Sequence, residues 1–294
     1  MNGRTDTALG SYLRHMRELT APERVGLPTS TRRRVPGLRR EELAALAGLS
    51  PTYYTRLEQS QPSHASMSVL LSISRALGLN NDEEAYLLKV GRAPDQAVPQ
   101  RLSTDNRISP ATKMLVESHR NVAAAILNYR CDILAWNTIF HNLIAPHLNF
   151  DAPAQDDRPN MIELNFLDPA VQALYGDWGK ESLYNVSYFR CIAGDHRNDT
   201  HLASTIDRLI EASPDFAALW DGQHVENCTE GTKTLNHPHV GTVELMYQSA
   251  DLRDGNIMKI YHAIPESDTE QALISLGAAD IPQDEVAARR RLVG

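Results

Sequence analysis

Cysteine is scarce in this chain. The three that occur, Cys131, Cys191 and Cys228, lie far apart and form no CxxC pair. Neither a disulfide framework nor a zinc cage follows from them, and buried free thiols are the expectation. No stretch is apolar for long enough to span a bilayer, and the opening residues have no signal-peptide pattern, so a cytoplasmic protein is expected. The sequons at Asn185, Asn198 and Asn227 then read as chance. No nucleophile elbow of the form GxSxG occurs, which removes the commonest sign of a serine hydrolase, although composition does not exclude a Ser–His–Asp set. His237 and His239 have no third metal ligand at a useful spacing, so no metal site is expected. The residue types give no catalytic set, and the chain is not expected to be an enzyme. Lysine is scarce too: only Lys89, Lys113, Lys180, Lys233 and Lys259 among 29 basic residues. Arginine is the better reader of bases and phosphates, though genome composition produces the same bias.

What is present divides unevenly. The net charge of −8 conceals a basic head on an acidic body. Residues 1–100 hold 13 Lys and Arg against 10 Asp and Glu, whereas residues 101–294 hold 16 against 27. A head that meets phosphates, joined to a body that does not, accounts for this split. At 294 residues the chain has the length of two domains. Apolar residues recur at helical spacing in 6–19, 39–47, 51–59, 67–77 and 82–90, an all-α domain over residues 1–91. Residues 92–106 are polar, carry two prolines and show no period: a linker. Residues 107–294 read as α+β. Strand, turn and strand occur in AAAILNYRCDILAWN, a helical stretch covers roughly 160–222, and three strands and a last helix ending at Gly277 follow. Ser109-Pro110, Asp168-Pro169 and Ser213-Pro214 mark helix starts. Ser267 with Glu270 forms a capping box.

The most informative segment is REELAALAGLSPTYYTRLEQ, residues 40–59. Ala44 permits close helix approach, Gly48 supplies the turn, and Leu49, Tyr54 and Leu57 fill the wedge. Ser50 caps and Pro51 suits the first turn of the second helix. That helix can then lie in a major groove with its N-terminal residues toward the bases. An ordinary αα-hairpin with a glycine turn is the bland alternative.

This segment resembles the helix-turn-helix of Xre/Cro-type regulators over its full length. The resemblance implies a phosphate contact for Arg40 and base-facing positions for Pro51, Thr52 and Arg56. Proline departs from the polar residue usual at that position. Tyr53 and Thr55 would face the backbone. Glu58 would pair with an arginine of the first helix, Arg14 or Arg17. Arg32, Arg33, Arg34 and Arg39 are further phosphate or minor-groove candidates, against a merely solvated arginine run.

The similarity extends to the MmyB-like subset, through GLPTSTRRRVPGLRREELAALAGLS in the head and DILAWN, NFLDP, RCIAG, SPDFAALW and GTKTLNHPHVGTVELMY in the body. It implies a PAS-like C-terminal domain with a helical insertion and a pocket for a small apolar, fatty-acid-like ligand, with no other cofactor. Phe140, Tyr188 and Phe189 are among the aromatic residues available to line a pocket, and Trp136, Phe166, Trp178, Arg190 and Trp220 are the ligand-site candidates. Ordinary core packing is the alternative for the aromatics and a local salt bridge for Arg190. The expected function is a homodimeric transcription regulator whose binding to double-stranded DNA responds to that ligand. Two other readings stay open: a constitutive DNA-binding protein whose second domain only dimerises, and an enzyme with a DNA-binding head.

Overall fold

A computed structural model of the chain describes residues 8–28, 37–59, 65–91, 108–196, 198–222 and 230–279. Two compact units emerge. The first comprises residues 1–98 with 190–203 and 219–227, and the second holds the remainder. The stretch 92–106, read as a linker, lies outside the described residues, as does the Arg32–Arg34 run.

The N-terminal part of the first unit is built, among the described residues, on α1 (Ala8–Leu19), α2 (Arg40–Leu46), α3 (Pro51–Glu58), α4 (Met67–Leu77) and α5 (Asn81–Gly91). Their apolar stripes meet in one core of Leu13, Leu43, Tyr54, Leu57, Ile73 and Leu87, among others. Tyr12 and Tyr86 pack edge to face there, 4.8 Å between ring centroids. The α2–α3 turn follows from its sequence. Gly48 takes φ +68°, a left-handed conformation that suits glycine. Leu49 N–H then reaches back to Ala44 O (2.8 Å) and Gly48 N–H to Ala45 O (3.2 Å), closing α2 as a Schellman motif. Two residues later Ser50 Oγ accepts from Tyr53 N–H (3.2 Å) and starts α3.

The second unit is built on a five-stranded antiparallel sheet. Its strands are β1 (Ala123–Leu127), β2 (Ile133–Trp136), β3 (Glu230–His237), β4 (Gly241–Asp251) and β5 (Ile257–His262). They lie in the order β2-β1-β5-β4-β3, with the first and last strands together at the centre. This is the mixed, PAS-like arrangement that the resemblance implies. Between β2 and β3 run α7 (Thr138–Ile144), α8 (Met161–Leu167), α9 (Pro169–Gln172), α10 (Trp178–Asp195), α11 (Thr200–Ala212) and α12 (Pro214–Asp221). Helix α6 (Pro110–Ser118) precedes the sheet and α13 (Asp268–Ala278) follows it.

Strand register sorts the side chains into two faces. Ala124, Ile126 and Met258 form a small core with Val116 of α6. The opposite face carries Lys233, Tyr247, Ser249, Lys259 and Tyr261, as the pairs Tyr247–Tyr261 and Ser249–Lys259 show. Asn137 ties the sheet to α7. Its Oδ1 accepts from Phe140 N–H (2.9 Å) and Ala124 N–H (3.1 Å), and its Nδ2 donates to Val122 O (2.8 Å).

Two local expectations change. Helix α13 continues through Gly277 to Ala278. Gly277 serves close approach there, since a Cβ would sit 2.9 Å from Ile139 Cγ1 of α7. Glu270 also reaches past the capping residue, accepting from Glu266 N–H (2.7 Å) while Ser267 Oγ accepts from Glu270 N–H (3.2 Å).

Candidate functional site

On α3 the side chains divide cleanly. Tyr54, Leu57 and Glu58 are buried, while Pro51, Thr52 and Arg56 are exposed and Tyr53 and Thr55 half-exposed. The exposed three fall on one side of the helix because four residues make about one turn. Arg39 is exposed just before α2, with its backbone N–H held by the Glu42 carboxylate (2.8 Å).

Behind this face Glu58 is fully buried and gathers arginines. Arg17 Nε and Nη2 donate to its two oxygens (2.9 and 3.1 Å), and Arg17 Nη1 donates to Leu38 O (2.8 Å). Arg40 Nε and Nη2 both donate to Oε1 (2.9 and 2.7 Å), and Arg14 Nε stands 3.8 Å off. Of the two arginines expected at Glu58, Arg17 makes the close contact. Arg40, expected at a phosphate, is drawn in as well, with its side chain still 41% exposed. Burial works against the Glu58 carboxylate, but the hydrogen bonds from Arg17 and Arg40 outweigh it and hold its pKa below the ordinary value. The cluster fixes α3 to α1 and α2, and so sets the angle at which Arg56 is presented.

The second unit holds a partly open cavity of about 40 Å³. Its floor is the sheet face that carries Lys233, Tyr247, Ser249 and Lys259, and its walls come from α8 and from the first three turns of α10. Leu127, Met161, Ile162 and Ile257 supply apolar surface. Asn128, Glu181, Asn185, Lys233, Ser249 and Lys259 add polar groups. Lys233 Nζ pairs with Glu181 Oε1 of α10 at 2.7 Å, and both side chains are nearly inaccessible. The same ammonium lies over the rings of Tyr247 (4.6 Å), Tyr261 (4.8 Å) and Tyr175 (5.6 Å), a favourable setting for a desolvated cation. Burial pushes the Glu181 pKa upward, but the charges of Lys233 and then Lys259 prevail and hold it below the usual carboxylate value. Among the described residues, the hydroxyls of Tyr175 and Tyr261 are buried without a hydrogen-bond partner.

Of the aromatic residues named from sequence, Tyr188 lines this cavity, whereas Trp136, Phe166, Trp178 and Trp220 do not. Trp136 donates its indole N–H to Phe150 O (2.8 Å), and Trp178 donates to Asn165 O (3.1 Å). Phe166 packs edge to face against Trp178 and Phe216. Arg190 and Trp220 belong to the first unit, where the guanidinium stacks over the indole at 4.3 Å and donates to Trp220 O. Glu181, Lys233 and Lys259 escaped sequence reading because they come from three distant segments. A signal was available: in TKTLNH and NIMKIYH each lysine sits two residues before an inward apolar residue, Leu235 or Tyr261, so alternation alone turns both lysines inward.

His237 is also accounted for. Its Nε2 bonds Asn142 O (3.0 Å) and its Nδ1 accepts from His239 N–H (3.3 Å), which fixes a neutral ring with the proton on Nε2. Burial, against the bond to Asn142, lowers its pKa to about 4.

A buried-wedge helix pair in a basic head, followed by a mixed domain with an internal cavity, defines a DNA-binding transcription regulator with a ligand-binding domain. Comparison with protein families agrees. A helix-turn-helix domain matches residues 8–87, and the MmyB-like transcription regulator ligand binding domain matches residues 108–276. The second match covers more than half of the chain, and the protein belongs to that family. No curated protein matches the sequence.

Proposed function

We propose that this regulator binds a specific duplex site as a homodimer in the cytoplasm, and that a small, partly apolar ligand in the second domain alters that binding. The observation that supports it best is the cavity between the sheet and α8 and α10, inside the part of the chain that matches a ligand-binding domain. The fatty-acid-like ligand implied by the resemblance would place hydrocarbon against Leu127, Ile162 and Ile257. Among the described residues no helix is long and apolar enough to cross a membrane.

In this reading Arg56 takes a guanine bidentately, Thr52 and Pro51 make the neighbouring base contacts, and Tyr53, Thr55, Arg39 and Arg40 meet the backbone. Arg32, Arg33 and Arg34 add phosphate contacts. A two-fold dimer would read two half-sites about one helical turn apart. The ligand must favour one state of the protein over another, because equal affinity for both shifts nothing.

The test begins with an operator selected from a random DNA pool by the full chain. Its affinity is then measured with and without candidate ligands, beside ligand binding by calorimetry. A change of about 5–150-fold is expected. Ligand binding with no change in operator affinity would leave a constitutive DNA-binding protein.

A further inference from the structure

Helix α10 belongs to both units. Its residues up to Phe189 lie in the second unit, and those from Arg190 onward lie in the first. In the second unit Glu181, Tyr184, Asn185 and Tyr188 line the cavity. Their spacing puts them on one stripe of the helix. In the first unit the end of α10 meets the helical head. Cys191 packs against the core of that unit. Gly194 is buried, and a Cβ on it would stand 3.2 Å from Val90 Cγ1 and 3.3 Å from Tyr86 Cε2 of α5. Both distances are shorter than the best carbon–carbon contact. Glycine therefore seats α10 directly on α5, with no side chain between them.

Tyr86 is where this seat meets the rest of the head. Its ring packs on Tyr12 of α1 at 4.8 Å between centroids, and α1 holds α3 through Arg17 and Glu58. On the other side stands Arg190, one turn before Gly194. Its guanidinium is buried, stacked on Trp220 and bonded to Trp220 O. Burial pushes the Arg190 pKa down, and the neighbouring Tyr86 works against that shift.

The size of the cavity adds the motion. About 40 Å³ holds about three water-sized groups, far less than the roughly 300–1,000 Å³ usual for an organic ligand. A larger occupant has to part the walls. Helix α8 is anchored to the segment before β2 by Met161 N–H to Cys131 O (2.8 Å) and by Asn160 Nδ2 to Arg130 O (2.8 Å). The sheet grips α10 through side chains, the Lys233–Glu181 pair foremost, so α10 is the wall that yields. From Tyr188 to Gly194 is about 9 Å of unbroken helix, short enough to move as one piece.

We propose that α10 reports occupancy of the cavity to the head: an occupant parts α10 from the sheet, and its last turn, seated on Tyr86 and Val90, passes the shift to α5. This rests on the reading that the cavity is the ligand site, and adds how occupancy reaches the DNA-binding helices. Gly194 is a positioning residue in this device.

Hydrogen exchange of the full chain, read by mass spectrometry, tests this without a ligand. Ser249→Phe puts a ring into the cavity from β4 in place of an occupant. In that variant the amides of α5, residues 81–91, exchange at least about fivefold faster than in the parent, the lower end of an ordinary coupling. Those of α13 keep their rate. In a Gly194→Leu background, where the seat is broken, α5 exchanges alike with and without Ser249→Phe. Ser249→Leu replaces Ser249→Phe if α13 loses protection, and Gly194→Ala replaces Gly194→Leu if α1 does. The proposal is overturned if filling the cavity leaves α5 exchange unaltered, or if Gly194→Leu leaves that response at full size. Operator affinity of the same proteins separates the two readings. Faster α5 exchange with unchanged operator affinity sinks ligand control of DNA binding and supports the coupling of α10 to α5. Operator affinity that changes in Ser249→Phe while α5 exchange does not sinks the route through α10 and leaves ligand control.

Discussion

Arg17 of α1 and Glu58 of α3 form a two-bonded ion pair inside the helical head, Nε to Oε2 at 2.9 Å and Nη2 to Oε1 at 3.1 Å, with Glu58 wholly inaccessible. Removing one partner leaves the other buried and uncompensated, which costs about 3–5 kcal/mol. Glu58→Ala therefore melts the head well below the parent temperature. Arg17→Met combined with Glu58→Met recovers much of the loss. Denaturant titration of the parent, Glu58→Ala and the double variant checks it, and a double variant as unstable as Glu58→Ala would show that packing, not charge, is at stake.

The same group makes the head sensitive to acid. The Glu58 pKa is lowered in the folded state, so the stabilisation is fully present above the ordinary carboxylate pKa and is lost as pH falls through the folded value. Glu181 in the second unit behaves alike. Unfolding free energy measured from neutral to acidic pH is expected to drop below the ordinary carboxylate range, and less steeply in Glu58→Gln.

His237 titrates in the opposite sense to a salt-bridged histidine. Its folded pKa is lowered from 6.5 to about 4, so the unfolded chain takes the proton first. Its contribution is fully present above pH 6.5 and declines from there to about pH 4, by roughly 3 kcal/mol at 1.36 kcal/mol per pH unit. In His237→Gln the slope of stability against pH over that window falls by about one proton. An unchanged slope would show that the ring is already charged.

Gly48 is required for its backbone. Any L side chain at φ +68° is strained by about 1–2 kcal/mol, although a Cβ there meets nothing within 4 Å. Gly48→Ala lowers stability by that amount, and Gly48→Asn by less, because asparagine tolerates the left-handed region. Thermal melts of the two variants distinguish strain from a steric clash.

At the DNA face, Arg56→Ala weakens specific binding by about 1–3 kcal/mol and relaxes preference at one base pair. Anisotropy titrations on the selected operator and on random duplex measure both. Equal losses on the two DNAs would reduce Arg56 to a phosphate contact.

Much of the head was legible locally. Ser50-Pro51, Gly48 and the apolar spacing of Leu43, Tyr54 and Leu57 specify two helices and their turn through neighbours only a few residues apart. The partner of Glu58 was narrowed to two arginines, and geometry decided for Arg17. Sequence gave no sign that Arg40 would share the same carboxylate, because that depends on the angle between α2 and α3.

In the second domain the strands and helix starts were readable, since capping and alternation are local. Of the cavity lining, Tyr188 was among the aromatic residues picked out from sequence, and Glu181, Lys233 and Lys259 were not. Aromatic rings such as Trp136 and Trp178 invite a pocket, yet each spends its indole N–H on a backbone carbonyl. Sequence by itself determined a helix-turn-helix head and an α+β body. Only the tertiary structure brought Glu181 of α10 to Lys233 of β3, 52 residues away, and set Lys259 of β5 in the same cavity lining. The reason is physical. Local rules follow from backbone geometry within a turn or a strand, whereas the charge balance of a cavity depends on which distant side chains the sheet order and the overlying helices bring together.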